Sequence, residues 1–195
     1  MPRISALEFE RLPLRVHGFL TGVPLHDVWA VDLPRIRPGI TLDEFLRTGG
    51  ARPYRLSLVV RALLSIRLCI GWLLGWDREP TETGWESFAK RLTTTDHSKS
   101  LVPASTRDGL FRVVYRFENE QLLEVINRTA HAAAFSALVE MANTYRFYFA
   151  VYVCSVSSFS PIYMALIDPF RKLIVYPSLL RGVRASWNEA FGTGC

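Results

Sequence analysis

The sequence of 195 residues is poor in cysteine, with three in all. Three cysteines cannot form a paired disulfide framework, which excludes the class of small secreted domains stapled by disulfides. Cys69 and Cys154 lie in apolar stretches, and Cys195 ends the sequence. We therefore expect reduced thiols, with Cys69 and Cys154 as small core side chains, and a cytoplasmic location.

The familiar sequence motifs of enzymes are also absent. The sequence contains no glycine-rich phosphate loop of the Rossmann or Walker type, no C-x-x-C, no H-E-x-x-H and no G-x-S-x-G. None of the four histidines stands three or four residues from another, the four being His17, His26, His97 and His131. We therefore expect neither a metal site nor a bound cofactor.

An uncharged run long enough to cross a membrane is missing as well. Residues 56–76 have the length of a spanning helix, about 20 residues, but Arg61 and Arg67 lie inside this run. Each arginine costs about 2.5–3.5 kcal/mol at the centre of a bilayer. We expect a long apolar core helix near residues 55–75, and the alternative is a helix that lies on a membrane surface.

Lysine is scarce, with 3 lysines against 20 arginines, and the net charge is +5. A protein that binds nucleic acid should gather its basic residues on one face. Here the arginines are spread from Arg3 to Arg184 without a run of five like charges, so no nucleic-acid partner is expected. The densest basic group is either a solvated helix face or a site for phosphate or anionic lipid, and it comprises Arg171, Lys172, Arg181 and Arg184.

The remaining composition predicts a single α+β domain over residues 1–195. Hydrophobic residues make up 49% and charged residues 21%, as is typical of globular domains. Residues 13–33 read as extended. The capping-box pattern of Thr41 and Glu44 predicts a short helix that runs to about Thr48. The polar segment 79–109 predicts a long loop, either a functional lid or a mobile segment, with a short helix at 85–92.

Alternating apolar residues and turn signals predict an antiparallel meander over residues 110–156. Its four strands are expected at 110–117, 121–127, 129–142 and 145–156. A C-terminal helix should follow, capped by Ser160, with Pro169 and Pro177 kinking or breaking it. Its apolar stripe is expected to run through Tyr163, Leu166, Ile167, Phe170, Leu173 and Ile174 and to resume at Leu180, Val183 and Trp187.

Three segments, at 60–77, 124–131 and 168–187, resemble the bacterial family known as domain of unknown function 2867. With their spacing, the resemblance covers about residues 15–188. That family is similar to the START and birch-pollen-allergen (SRPBCC) superfamily, in which a curved antiparallel sheet grips a long C-terminal helix and leaves an apolar cavity between them. The resemblance implies this helix-grip fold and ligands such as lipids or polyketides, but it carries no catalytic signature.

These observations favour the binding of a small hydrophobic or aromatic metabolite in a cavity between the sheet and the C-terminal helix. Aromatic and aliphatic side chains on the predicted strands and helix are the candidates for ligand binding, although such residues often simply fill a core. The candidates are Tyr115, Phe135, Phe147, Phe149, Tyr163 and Ile167.

His131 is the candidate catalytic residue. On the third predicted strand it shares a face with Ala133 and Phe135, and an imidazole in an apolar cavity can act as a base. This favours an alternative function, an enzyme of the cyclase or hydratase type that acts on a polyketide-like substrate in the same cavity. The competing interpretation is a core histidine. A third hypothesis is a protein that associates with a membrane surface. The sequence does not define the ligand or the oligomeric state.

Overall fold

The computed structural model describes residues 4–48, 60, 65, 86–126, 131–154 and 167–192. These residues form a curved six-stranded antiparallel sheet in the order β1-β6-β5-β4-β3-β2, which confirms the predicted α+β class. The strands are β1 (Leu25–Pro34), β2 (Arg107–Asp108), β3 (Phe111–Arg116), β4 (Glu120–Ile126), β5 (His131–Glu140) and β6 (Thr144–Cys154).

Helices lie on both faces of the sheet. Four are short: α1 (Ala6–Glu10), α2 (Arg15–Phe19), α3 (Leu42–Thr48) and α4 (Thr94–Lys99). A 3-10 helix occupies Phe88–Arg91. The C-terminal helix spans residues 167–191 and contains a π-helical turn, Arg171–Val175, followed by α5 (Tyr176–Phe191).

The predicted apolar helix at 55–75 lies outside the described residues except for Val60 and Ser65, both of which are helical. No helix within the described ranges has the length and apolar character needed to cross a membrane.

The predicted meander is confirmed in its described parts, since β3 to β6 fall inside residues 110–156. Alanine favours helix, yet the alanine-rich segment forms strand β5. Ala133 and Ala137 are fully buried there, and β5 is hydrogen-bonded to β4 on one side and β6 on the other. Hydrogen bonding to two neighbouring strands, together with burial, outweighs the small helical preference of alanine.

The two faces of the sheet carry separate cores. The first, which we call the N-terminal face, packs against α1, α2 and the 3-10 helix, and includes Phe9, Val28, Tyr115, Leu122 and Phe135. The second, the C-terminal face, packs against α3 and α5, and includes Trp29, Leu33, Phe147, Phe149 and Trp187.

The pairing register between β5 and β6 decides which aromatic side chains lie on the same face of the sheet. Phe135 pairs with Ala150, and Leu138 pairs with Phe147. Each pair joins an odd-numbered residue to an even-numbered one, so Phe135 and Phe147 lie on opposite faces although both numbers are odd. Phe135 and Phe147, both predicted to bind the ligand, therefore cannot line the same cavity on one face of the sheet.

Residues 15–19 form helix α2 and not the extended segment that the sequence predicted. Val16, Phe19 and Leu20 are all buried. Their spacing of three and four residues places them on one side of a helix, which packs on the N-terminal face. Strand β1 confirms the extended prediction over residues 25–33, whereas residues 20–24 form a turn. One half of the predicted capping box is present, because the Glu44 N–H donates to Thr41 Oγ1 at 3.1 Å. The Glu44 side chain pairs with Arg37 instead.

The C-terminal helix is continuous through Pro177 and is not broken. Proline lacks an N–H and disrupts a regular α-helix. Here a π-helical turn lies just before it, in which the Tyr176 N–H donates to the Arg171 carbonyl. The extra residue in this turn rotates the preceding residues around the helix axis. Phe170 and Leu173 are consequently 50% and 77% exposed, which corrects the predicted apolar stripe.

The polar segment contains regular structure where it is described. Phe88–Arg91 confirms the short helix predicted at 85–92, and α4 follows it. Thr93 and Asp96 form a capping box at the start of α4. The description of residues 1–195 as a single domain stays a prediction.

Candidate functional site

A cleft of about 700 Å³ opens between α2, α4 and the turn that joins β3 to β4. Its walls combine apolar and polar side chains. They are Pro13, Leu14, Arg15, Thr93, Thr95, Asp96, Lys99, Leu101, Phe117, Glu118, Asn119 and Glu120. We call this feature the Glu120 cleft, after a buried carboxylate in its wall.

Glu120 is placed at the cleft by the tight turn before β4. The Phe117 N–H donates to the Glu120 carbonyl at 2.8 Å, which closes the turn. The side chain lies on the N-terminal face and the residue is only 6% exposed. Its Oε2 accepts the Arg15 backbone N–H at 3.1 Å, whereas its Oε1 has no hydrogen-bond partner.

This environment raises the pKa of Glu120 to about 7. Burial is the main cause, because the charged carboxylate loses its water. The Arg15 N–H, the Tyr115 hydroxyl and the Arg15 charge act in the opposite direction but only partly compensate. Glu120 is therefore a carboxyl group that can gain or lose a proton near neutral pH.

Tyr115 forms an aromatic wall behind Glu120. It is fully buried, its ring stacks on Phe117 at a centroid distance of 4.4 Å, and the ring of Phe19 meets it edge-on at 5.4 Å. Its hydroxyl lies near the Glu120 carboxyl group but is not aligned for a hydrogen bond. Burial, with the nearby charge of Glu120, raises the pKa of Tyr115 well above its usual value, so this hydroxyl is a neutral donor.

An ion pair between Arg15 and Asp96 forms one edge of the cleft. Arg15 Nε donates to Asp96 Oδ1 at 3.0 Å and Nη2 donates to Oδ2 at 2.8 Å. Asp96 Oδ2 also accepts the backbone N–H of Thr93 at 3.0 Å. The hydrogen bond from Arg15 is the main reason that the pKa of Asp96 lies well below its usual value. This bidentate pair connects α2 to α4 and fixes the edge of the cleft.

His131 is buried on the same face but belongs to a different cluster. Its Nε2 lies 3.3 Å from Glu124 Oε2, and its ring stacks on Phe88 at 4.0 Å. Glu124 also accepts the Ser87 hydroxyl and, at 2.8 Å, the Phe88 N–H. Burial alone would raise the pKa of Glu124, but these hydrogen bonds outweigh it and lower the pKa. The cluster attaches the 3-10 helix to the sheet.

The predicted ligand-binding residues do not form one group. Tyr115 and Phe135 are buried on the N-terminal face, and Phe135 packs against Phe9. Phe147 and Phe149 lie on the C-terminal face, beneath α5. Ile167 is half-buried at the start of the C-terminal helix, and Tyr163 lies outside the described residues.

A polar network connects the C-terminal helix to β1. Asp168 Oδ1 lies 2.8 Å from His26 Nε2, and Asp168 Oδ2 accepts Lys172 Nζ at 2.6 Å. Arg171 lies 3.6 Å from Asp27. Ligand atoms of His26, Asp27 and Asp168 lie within 4.8 Å of one another. Because Arg171 and Lys172 already neutralise the two carboxylates, this arrangement suits an ion-pair network better than a metal ion.

Nothing in the sequence alone indicates Glu120 or Arg15 as site residues. They lie 105 residues apart in the chain, and no local pattern connects them. The Thr93 and Asp96 spacing of a capping box was a usable signal for α4. That signal would have predicted one edge of the cleft.

The sequence matches the family described as "Protein of unknown function (DUF2867)" over residues 19–178. The chain belongs to the DUF2867 family. The matched range contains Glu120 and Asp96, whereas Arg15 lies before it. No curated protein matches this DUF2867 chain. No solved structure matches it either.

Proposed function

We propose that this DUF2867 chain binds a small hydrophobic or aromatic metabolite in the Glu120 cleft. The observation that carries the proposal is a cleft of about 700 Å³ whose wall includes the buried carboxyl group of Glu120. This volume is within the range of small-molecule sites, about 300–1,000 Å³.

The composition of the cleft suits a ligand with an apolar body and one polar end. Leu14, Leu101 and Phe117 offer apolar contacts. Glu120 Oε1 offers a hydrogen-bond acceptor when ionised or a donor when protonated. A buried polar atom without a partner is uncommon in folded proteins. A polar group of a ligand would supply that partner once a side chain of the cleft wall moves aside, because Glu120 Oε1 is closed off from the cleft in this structure.

We further propose that the fold is the helix-grip fold of the START and birch-pollen-allergen superfamily. An antiparallel sheet with a C-terminal helix of 25 residues on one face supports this. In that fold the ligand lies between sheet and helix. In this chain Trp29, Phe149 and Tyr176 pack together there, which supports placing the ligand in the Glu120 cleft. The free Cys154 thiol favours a cytoplasmic location.

An enzyme of the cyclase or hydratase type, acting on a polyketide-like substrate, is the second candidate function. The pKa of Glu120, about 7, favours it because acid–base catalysis works best near the operating pH. Glu120 is better placed for this role than His131, whose Nε2 faces Glu124. Glu120→Gln would then abolish turnover in an assay with polyketide-like thioesters, whereas His131→Asn would retain it.

Ligand binding can be tested by thermal unfolding in the presence of aromatic and aliphatic alcohols, amines and acids. A compound that binds the folded state raises the Tm. Leu101→Asp places a charge on the cleft wall, and Leu110→Asp is the matched control because Leu110 is similarly exposed, at 58% against 50%, and is not in the cleft. We expect Leu101→Asp alone to abolish the increase. If no compound raises the Tm, or both variants behave alike, the proposal is wrong.

A further inference from the structure

The outward side of the C-terminal helix exposes two large apolar residues. Phe170 is 50% exposed and Leu173 is 77% exposed. Phe170 lies just before the π-helical turn and Leu173 lies inside it, three residues further along the chain. Large apolar side chains that are exposed close together on one helix are typical of an interaction surface.

Two unpaired arginines continue the same side of the helix. Leu173, Pro177, Arg181 and Arg184 follow one another at spacings of four, four and three residues, and both arginines are exposed. Arg181 Nε donates to the Pro177 carbonyl at 3.2 Å, which holds its side chain along the helix. No acidic side chain among the described residues forms an ion pair with Arg181 or Arg184.

We propose that Phe170, Leu173, Arg181 and Arg184 form a surface that docks on an anionic lipid bilayer. The four residues extend over about 21 Å of helix at 1.5 Å per residue. The two apolar side chains can enter the boundary between headgroups and acyl chains, and the arginines can contact anionic headgroups. The net charge of +5 favours the same partner.

A lipid surface fits these residues better than other partners do. A second copy of the chain, docked through the same surface, would bury Arg181 and Arg184 of both copies without an acidic counterpart on that surface. A nucleic acid would use the arginines but would leave Phe170 and Leu173 exposed. The surface lies on the C-terminal face of the sheet, so it does not depend on ligand binding in the Glu120 cleft.

Vesicle flotation tests this proposal with the full chain. We expect the protein to float with phosphatidylcholine vesicles that contain about 30% phosphatidylserine and to stay unbound with phosphatidylcholine alone. Binding should weaken as salt is raised, because salt screens the arginines. Arg181→Glu/Arg184→Glu should reduce the partition coefficient at least about tenfold. Phe170→Ser/Leu173→Ser should reduce it as well.

Matched double variants elsewhere on the surface control for charge and hydrophobicity. Arg11→Glu/Arg107→Glu makes the same charge change, and Leu7→Ser/Leu110→Ser removes two similarly exposed apolar residues. Neither should alter flotation. Absence of flotation with anionic vesicles would overturn the proposal, as would equal losses in test and control variants. A dimer in light scattering that Phe170→Ser/Leu173→Ser dissociates, without flotation, would assign the surface to self-association.

Discussion

Arg15 and Glu120 are joined through the Arg15 backbone N–H, at 3.1 Å, and not through their opposite charges. The Arg15 guanidinium is instead bound to Asp96. Arg15 therefore lowers the pKa of Asp96 strongly, while burial still raises the pKa of Glu120 to about 7. One arginine thus leaves one carboxylate permanently charged and its neighbour able to titrate near neutral pH.

The native protein should lose stability as the pH rises, and Glu120→Gln should abolish this loss. The pKa of Glu120 is raised from 4.5 to about 7 on folding, so the folded state holds this proton more tightly than the unfolded state does. The contribution of this proton to the free energy of unfolding is full below pH 4.5 and is lost as the pH rises to about 7. We expect Glu120→Gln to be more stable than the native protein at pH 8, by up to about 3 kcal/mol, in urea unfolding.

Glu118→Gln is the control for this experiment, because Glu118 is an exposed neighbour in the same turn. Glu118→Gln should leave the difference in the free energy of unfolding between pH 5 and pH 8 unchanged. An equal flattening of the pH profile in both variants would show that Glu120 is not the titrating group.

The contribution of Asp96 to stability should depend on pH in the opposite sense to that of Glu120. The pKa of Asp96 is lowered on folding from 3.8, so its stabilisation is present above pH 3.8 and is lost as the pH falls below it. At pH 7 we expect Asp96→Asn to cost about 1–2 kcal/mol, a value reduced by solvent screening because the Arg15 side chain is 39% exposed. Urea unfolding at pH 7 and pH 3 measures both quantities.

Asp108→Asn provides the comparison for Asp96→Asn. Asp108 is 51% exposed and pairs with Arg116 at 3.1 Å, so its removal should cost less than about 1 kcal/mol. If the difference in unfolding free energy between the two variants does not shrink toward pH 3, the role assigned to Asp96 is wrong.

His131→Ala should destabilise the fold substantially. The substitution removes one of the three partners of buried Glu124 and the ring that stacks on Phe88. We expect a cost of about 2–4 kcal/mol in urea unfolding, against a change within about 0.5 kcal/mol for His97→Ala on the exposed side of α4. An unchanged stability of His131→Ala would instead favour the catalytic role predicted from the sequence.

Two buried tryptophans should respond differently to replacement by phenylalanine. Trp187 Nε1 donates to the Pro34 carbonyl at 3.1 Å, whereas Trp29 Nε1 is buried without a partner. Trp187→Phe removes a hydrogen bond that Trp29→Phe does not. We expect Trp187→Phe to cost about 1 kcal/mol more in thermal or urea unfolding. Equal costs would show that the indole hydrogen bond is not what distinguishes the two sites.

Local patterns in the sequence were sufficient to predict β3 to β6 and α3. Alternation of apolar residues and turn signals act over a few residues, as does the capping box of Thr41 and Glu44. The faces of the aromatic residues could not be predicted in the same way. Whether Phe135 and Phe147 share a face depends on the pairing register across the hairpin, and this register is a tertiary property.

The candidate site was harder to predict than the fold. Arg15 lies in a segment whose mix of β-branched and aromatic residues predicts extended structure, whereas the spacing of Val16, Phe19 and Leu20 also fits a helix. Glu120 stood in a polar turn with nothing to indicate that α2 would cover it. The raised pKa arises from a contact between residues 105 positions apart, which no local signal contains.

Binding in the Glu120 cleft is tested most directly by an NMR titration of the full chain with 8-anilinonaphthalene-1-sulfonate. We predict that saturable amide shift changes will be largest at Arg15, Lys99 and Phe117 and will be lost in Leu101→Asp but kept in Leu110→Asp. Changes concentrated between Tyr176 and Val183 would place the ligand under the C-terminal helix, and the absence of any saturable change would contradict ligand binding altogether.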